Sequence, residues 1–224
     1  MSPRTSRERR RTLADLGPVA QLRAGRLPRR LTQLYAGLLL YGASLGFMVR
    51  GELGLAPWDV LHSGFVRHVP MTLGQAVILF SVLVLLAWIP LRERPGLGTV
   101  SNAIVVGLAA DATLAVLDAP GPVTARIGLM LAGIVLNGLA TAMYIGAQFG
   151  RGPRDGLMTG LSRVTGRSIR LVRTGLEVGV VIVGLLLGGA LGVGTVLYAV
   201  LIGPLAQAML PRWVVDVREP SGDV

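Results

Sequence analysis

Two carboxylates stand inside long apolar runs of this 224-residue chain, and two more close a pair of matching Gly-Pro motifs. Asp111 and Glu177 form the first set. An ionisable group held in hydrocarbon is costly and marks a functional position by default. Asp111 has no cationic neighbour at helical spacing, so it fits a carboxyl kept protonated by burial or one that titrates in a water-filled cavity. Arg173 precedes Glu177 by four residues, which puts both on one helix face and allows them to pair. Asp111 and Glu177 are therefore the expected proton-coupling residues. The plainer roles are a structural ion pair for Glu177 and a cross-helix hydrogen bond for Asp111.

The second set lies in Gly54-Leu55-Ala56-Pro57-Trp58-Asp59 and Gly150-Arg151-Gly152-Pro153-Arg154-Asp155. Pro suits the first position of a helix, where a missing N–H costs nothing, and an acid in the first turn complements the helix dipole. Each motif predicts a turn and a short helix, over 57–68 and 153–165. Twelve residues or so reach only about 18 Å, too short to cross a bilayer, so each helix must lie at the interface or dip in and return. Interrupted segments at matching positions are the best sequence pointer to a transporter binding site. Pro57, Asp59, Pro153 and Asp155, with Asn102 as a neutral hydrogen-bonding group, are the expected substrate-binding residues. Plain helix capping is the alternative for the two acids. Trp58 suits an interfacial anchor, with Arg154 serving on the cytosolic side. Gly96–Thr99 and Gly192–Thr195 read as helix starts with Thr as the N-cap, or as anion-binding ends.

Other chemistry is poorly provided for. There is no Cys, which removes disulfides, thiolate zinc sites and thiol nucleophiles. His62 and His68 are the only histidines, too few for a His-rich metal site. No Ser-His-Asp arrangement, HExxH motif or phosphate-binding Gly-rich loop is present. The expectation is a protein that is not an enzyme, with no cofactor and no metal. The net charge of +10 comes entirely from Arg, and no aromatic residues interleave with the Arg-rich start, so no nucleic-acid partner is expected. That start suits anionic lipid headgroups or a tail that sets topology.

Elements that could position these residues follow from composition. Hydrophobic residues make up 52% of the chain and charged ones only 15%, well below the quarter or so typical of soluble domains. Six apolar runs, 31–49, 72–91, 97–117, 127–147, 171–191 and 193–210, approach or exceed the length of a membrane helix. Backbone groups without water must bond within such segments, so helices are expected. With both termini inside, nineteen Arg fall on the cytoplasmic side and three on the other, as positive charge collects on cytoplasmic loops. Residues 50–71 and 187–192 then face out and 148–170 face in.

The chain also repeats itself at a spacing of 96. AGLLLYG at 36–42 meets AGIVLNG at 132–138, GLAPWDVLHSG at 54–64 meets GRGPRDGLMTG at 150–160, and GLGTV at 96–100 meets GVGTV at 192–196. Three crossings per unit make the second copy enter from the opposite side, the inverted plan of many secondary transporters. The expected fold is all-α: six transmembrane helices in two inverted three-span repeats, each with a short Gly-Pro-Asp helix. An Arg-rich, disordered cytoplasmic tail would occupy 1–30, the repeats 31–118 and 125–212, and a second tail 213–224.

On these blocks, together with Asn102 and Gly203-Pro204, the sequence resembles the YczE/YitT-like family of bacterial integral membrane proteins over about 31–212. The resemblance implies a bacterial inner-membrane protein of six or nearly six spans, and it is compatible with export of a small molecule. The expectation is thus a small secondary transporter or exporter in the bacterial inner membrane, both termini cytoplasmic. Its partners would be the lipid bilayer and a small-molecule substrate, and a homo-oligomer is allowed. The alternative is a non-transporting membrane scaffold whose partner surface is the Arg-rich loop 151–173.

Overall fold

The computed structural model describes residue 13 and residues 17–217. All regular structure among them is helical: α1 (Pro18–Arg23), α2 (Leu27–Gly51), α3 (Pro57–Phe65), α4 (Leu73–Leu91), α5 (Leu97–Val116), α6 (Val123–Gly146), α7 (Pro153–Thr165), α8 (Ile169–Leu186) and α9 (Val193–Trp213). Five of these, α2, α4, α5, α6 and α9, are long and apolar enough to cross a membrane. Helix α8 has 18 residues and carries Arg170, Arg173 and Glu177 in its first half, which sets it apart from the five. The expected run 171–191 breaks early because Gly188 turns at φ +80°. The short helix expected over 57–68 ends at Phe65, and 66–68 form a turn.

Local sequence accounts for the starts. Thr72 caps α4 in a reciprocal box with Gln75. Pro57 and Pro153 open α3 and α7. At α5 and α9 the N-caps are Gly96 and Gly192, which corrects the reading of Thr as the cap. Thr99 stands at the third helical position, where its hydroxyl accepts from Gly96 N at 3.1 Å and donates to Arg151 O at 2.7 Å. That bond pulls the segment before α7 onto α5.

Starts of α2 and α6, α3 and α7, α4 and α8, and α5 and α9 all differ by 96 residues. Packing follows the same correspondence. Helices α2 and α6 run together at the centre, α2 packs on α5, and α6 packs on α9. The short helices cross over: α3 packs mainly on α8 and α7 mainly on α4. The connecting loops are exchanged too. Leu53 O accepts from Gly194 N at 2.7 Å, and Phe149 O accepts from Gly98 N at 2.8 Å. Each helix start thus has a free N–H satisfied by the other half. These loops need glycine: Gly54 and Gly150 have φ +115° and +106°, a side chain on Gly54 would strike the backbone of Gly192, and one on Gly150 would crowd Thr99 and Gly96.

Residues 17–30, expected within a disordered tail, contain α1 and the first turn of α2. The reason is Arg30, which is fully buried. Its guanidinium donates to Ala147 O at 2.9 Å, Gln21 O at 2.6 Å and Gln148 O at 2.7 Å, and lies 4.2 Å from the centre of the Phe149 ring. One cation thereby closes the carbonyl-rich end of α6 and ties α1 to it. Residues 1–12 and 14–16 of that tail and the last seven residues lie outside the described residues.

Candidate functional site

The first turns of α3 and α7 line one cavity of about 260 Å³ between the two halves. Pro57 and Trp58 contribute from one short helix, and Pro153, Arg154 and Asp155 from the other. Asn102 of α5 and Arg173 and Glu177 of α8 also line it. Four of the five expected substrate-binding residues, Pro57, Asn102, Pro153 and Asp155, are thus brought together with Glu177.

Two expected residues stand elsewhere. Asp59 is 2% exposed and sits behind the cavity wall, 3.0 Å from His62 Nδ1 and 3.8 Å from the Arg154 guanidinium. Burial lowers the pKa of His62, while its hydrogen bond to Asp59 acts the other way. Asp111 lies on α5 against the start of α4. It accepts from the Thr72 hydroxyl at 2.5 Å and from Gly74 N at 2.8 Å, so it joins those helices and does not line the cavity.

Trp58 and Arg154, at equivalent positions of the repeat, were expected as anchors on opposite membrane faces. They meet instead: Trp58 is 7% exposed, and the Arg154 guanidinium lies 5.0 Å from the centre of its ring. The cation satisfies both Asp59 and the indole face, which an interfacial position would leave apart. Two first turns thus face one another across the repeat.

The remaining walls include groups that the sequence did not single out. Tyr144 of α6 donates to Asp155 Oδ2 at 2.6 Å. Tyr198 of α9 donates to Asn137 Oδ1 at 2.9 Å, and Asn137 donates to Ser44 Oγ at 2.7 Å. Tyr41 packs edge-on against Tyr144 with ring centres 6.2 Å apart. These tyrosines have no sequence signature, because a Tyr within an apolar run fits packing as well as a site. Arg173 pairs with Glu177 at 2.9 Å, as their spacing suggested. Arg154 makes no hydrogen bond within 3.5 Å among the described residues, its contacts being the Trp58 ring and the longer ion pair with Asp59. The site therefore offers donors from both Arg and a carboxylate from Glu177 within a mostly apolar shell. No group of three His, Asp or Glu able to hold a metal forms among the described residues.

Apolar helices of membrane length, enclosing a cavity with a few charged groups, define a polytopic α-helical membrane protein. The chain belongs to the family of unknown function DUF6198, which it matches over residues 28–211. It is 40% identical over 182 residues to an uncharacterized protein of Haemophilus influenzae, covering 81% of this chain and 84% of that one. It is 31% identical over 185 residues to the uncharacterized membrane protein YczE of Bacillus subtilis, covering 82% and 86%. Bacillus subtilis YyaS is 27% identical over 179 residues, covering 78% and 89%. These relatives fit the YczE-like resemblance seen in the motifs. No solved structure matches the chain.

Proposed function

We propose that this membrane protein is a small secondary transporter, not an enzyme, and that its halves are inverted repeats with α8 as a sixth span. Both termini would face the cytoplasm of a bacterial cell. One observation carries the reading: the first turns of α3 and α7, 96 residues apart, line the same cavity. A broken or short helix at matching positions of two halves is how transporters place dipole ends and side chains at a buried solute. In this reading Asn102, Arg154 and Asp155 orient the substrate. Glu177 carries the coupling proton, released from Arg173 when the carboxyl is protonated. Asp111 stays with the α4–α5 contact. Rocking of α3 with α8 against α7 with α4 would expose the cavity to either side.

The test begins with metabolites whose distribution changes between deletion and overexpression cells. Uptake of the best candidate into proteoliposomes should follow an imposed pH gradient. Glu177→Gln should keep folding and binding while uncoupling flux from the gradient. Flux equal to that of protein-free liposomes for every candidate would contradict transport. Unchanged gradient-driven flux in Glu177→Gln would remove that carboxyl from coupling.

A further inference from the structure

The two halves are unequal where they should match. Helix α4 packs along α5, whereas α8 packs on α3 and α7, α9 packs on α6, and α8 and α9 do not pack along one another. They are joined by the short link 187–192, so they part towards the other end, where α8 begins and α9 finishes. Arg173 and Glu177 of α8 and Gln207 of α9 line the cavity at that parted end. The Arg173 side chain is 47% exposed, and Gln207 is exposed as well. The outer faces of the same two helices are apolar, with Leu171, Val178, Val200 and Leu201 all exposed. A slot between two helices with apolar outer faces thus has a polar floor about one to two turns from the helix ends, near the depth of lipid headgroups.

We infer that the slot admits an amphiphile sideways from the bilayer leaflet on the side of the α8 N-terminus, the cytoplasmic one in the proposed orientation. This takes the cavity of the transport reading and names the class of molecule that enters it. Three features select an amphiphile. At about 260 Å³ the cavity is smaller than the roughly 300–1,000 Å³ of pockets that enclose a whole drug-sized ligand. A headgroup fits inside only if its tail stays outside. The apolar outer faces of α8 and α9 are compatible with such a tail lying along them. The exposed Arg173–Glu177 pair and Gln207 would be costly against hydrocarbon, and a polar headgroup removes that cost. The free N–H groups of Arg154 and Arg173 favour a headgroup rich in acceptor oxygens.

Absence of Cys from the chain makes the test direct. Thr141 of α6 lines the cavity behind the slot. Thr141→Cys protein would be reconstituted in phosphatidylcholine vesicles containing a phosphatidylethanolamine whose headgroup bears a maleimide. A lipid-sized mobility shift is expected, lost when Gly203→Trp plugs the slot. Ala140→Cys, at a fully buried position outside the cavity, should show no shift. If Thr141→Cys does not fold, Ala206→Cys on the α9 wall takes its place. Labelling by a water-soluble maleimide alone would overturn access from the bilayer while leaving the cavity a transporter site. Labelling by neither reagent would overturn it too, because the slot would then be covered, for instance by a second copy of the chain.

Discussion

Helices α4 and α5 are closed on one another, and their counterparts α8 and α9 stand apart. The same duplicated pattern therefore supports two arrangements, and single residues show how. Gly107 of α5 lies where an added methyl would meet Gly74 O at 2.4 Å and the Ile78 side chain at 2.6 Å. Its counterpart Gly203 of α9 has nothing within 4 Å. Asp111 bonds across to Thr72 and Gly74, while its counterpart Gln207 faces the slot. In the proposed transport reading, one half acts as a packed wall and the other as a door. Such inequality is what alternating access requires of two similar halves, because a symmetric protein would be open or closed on both sides alike.

A second contrast separates two arginines, and substitution there should cost the most. Arg30 and Arg126 occupy equivalent positions beside the ends of α6 and α2. Arg30 is buried among backbone carbonyls, whereas Arg126 meets the Glu52 carboxylate at 2.8 Å with both side chains substantially exposed. Hydrogen bonds to charged groups contribute about 1.5–3 kcal/mol each, and orphaned buried acceptors add cost. Arg30→Ala should therefore destabilise by several kcal/mol, read as a large fall in the melting temperature of detergent-solubilised protein. Arg126→Ala should cost at most about 1 kcal/mol. Similar losses from the two substitutions would break the contrast.

The wall and the door are separated by a smaller pair of effects. Gly107→Ala forces α4 and α5 apart and should cost about 1–3 kcal/mol. Gly203→Ala meets no neighbour and, by helix propensity, should be neutral or stabilise by up to about 1 kcal/mol. Thermal unfolding of both variants under one condition checks the signs. A destabilised Gly203→Ala would mean that α9 is packed at that point.

The smallest change concerns Tyr198, whose bond to Asn137 links α9 to α6 within the second half and supports the Asn137–Ser44 bond across to α2. Tyr198→Phe removes the bond to Asn137 from within the bundle. Interhelical hydrogen bonds in membranes average about 0.6 kcal/mol, so the loss should be of that order. A loss near that of Arg30→Ala would show the Tyr198–Asn137–Ser44 chain to be a main tie.

Several helix starts were readable because Pro57, Pro153 and the Gly-x-Gly-Thr blocks punctuate the backbone locally. The spacing of 96 carried over from residue matches to helix starts for the same reason. Arg30 was not readable: nine Arg before residue 31 look alike, and only the carbonyls of residues 147 and 148 distinguish one of them. The meeting of Trp58 with Arg154 was hidden as well, since each side chain alone suits an interface. The direction of Asp111 was not readable either, because depth along a span says nothing about it. Its carboxylate turns to the start of α4, while Glu177, equally polar, turns to the cavity.

The proposed transporter requires that the halves enter the membrane from opposite sides and meet at one cavity. His68 and Val164 are equivalent, exposed positions just beyond α3 and near the end of α7. Single cysteines placed there, His68→Cys and Val164→Cys, can be labelled in intact cells and inverted vesicles with a membrane-impermeant maleimide. His68→Cys should label only from outside and Val164→Cys only from the cytoplasmic side. Labelling of both from the same side would contradict the inverted repeat and the transport reading built on it.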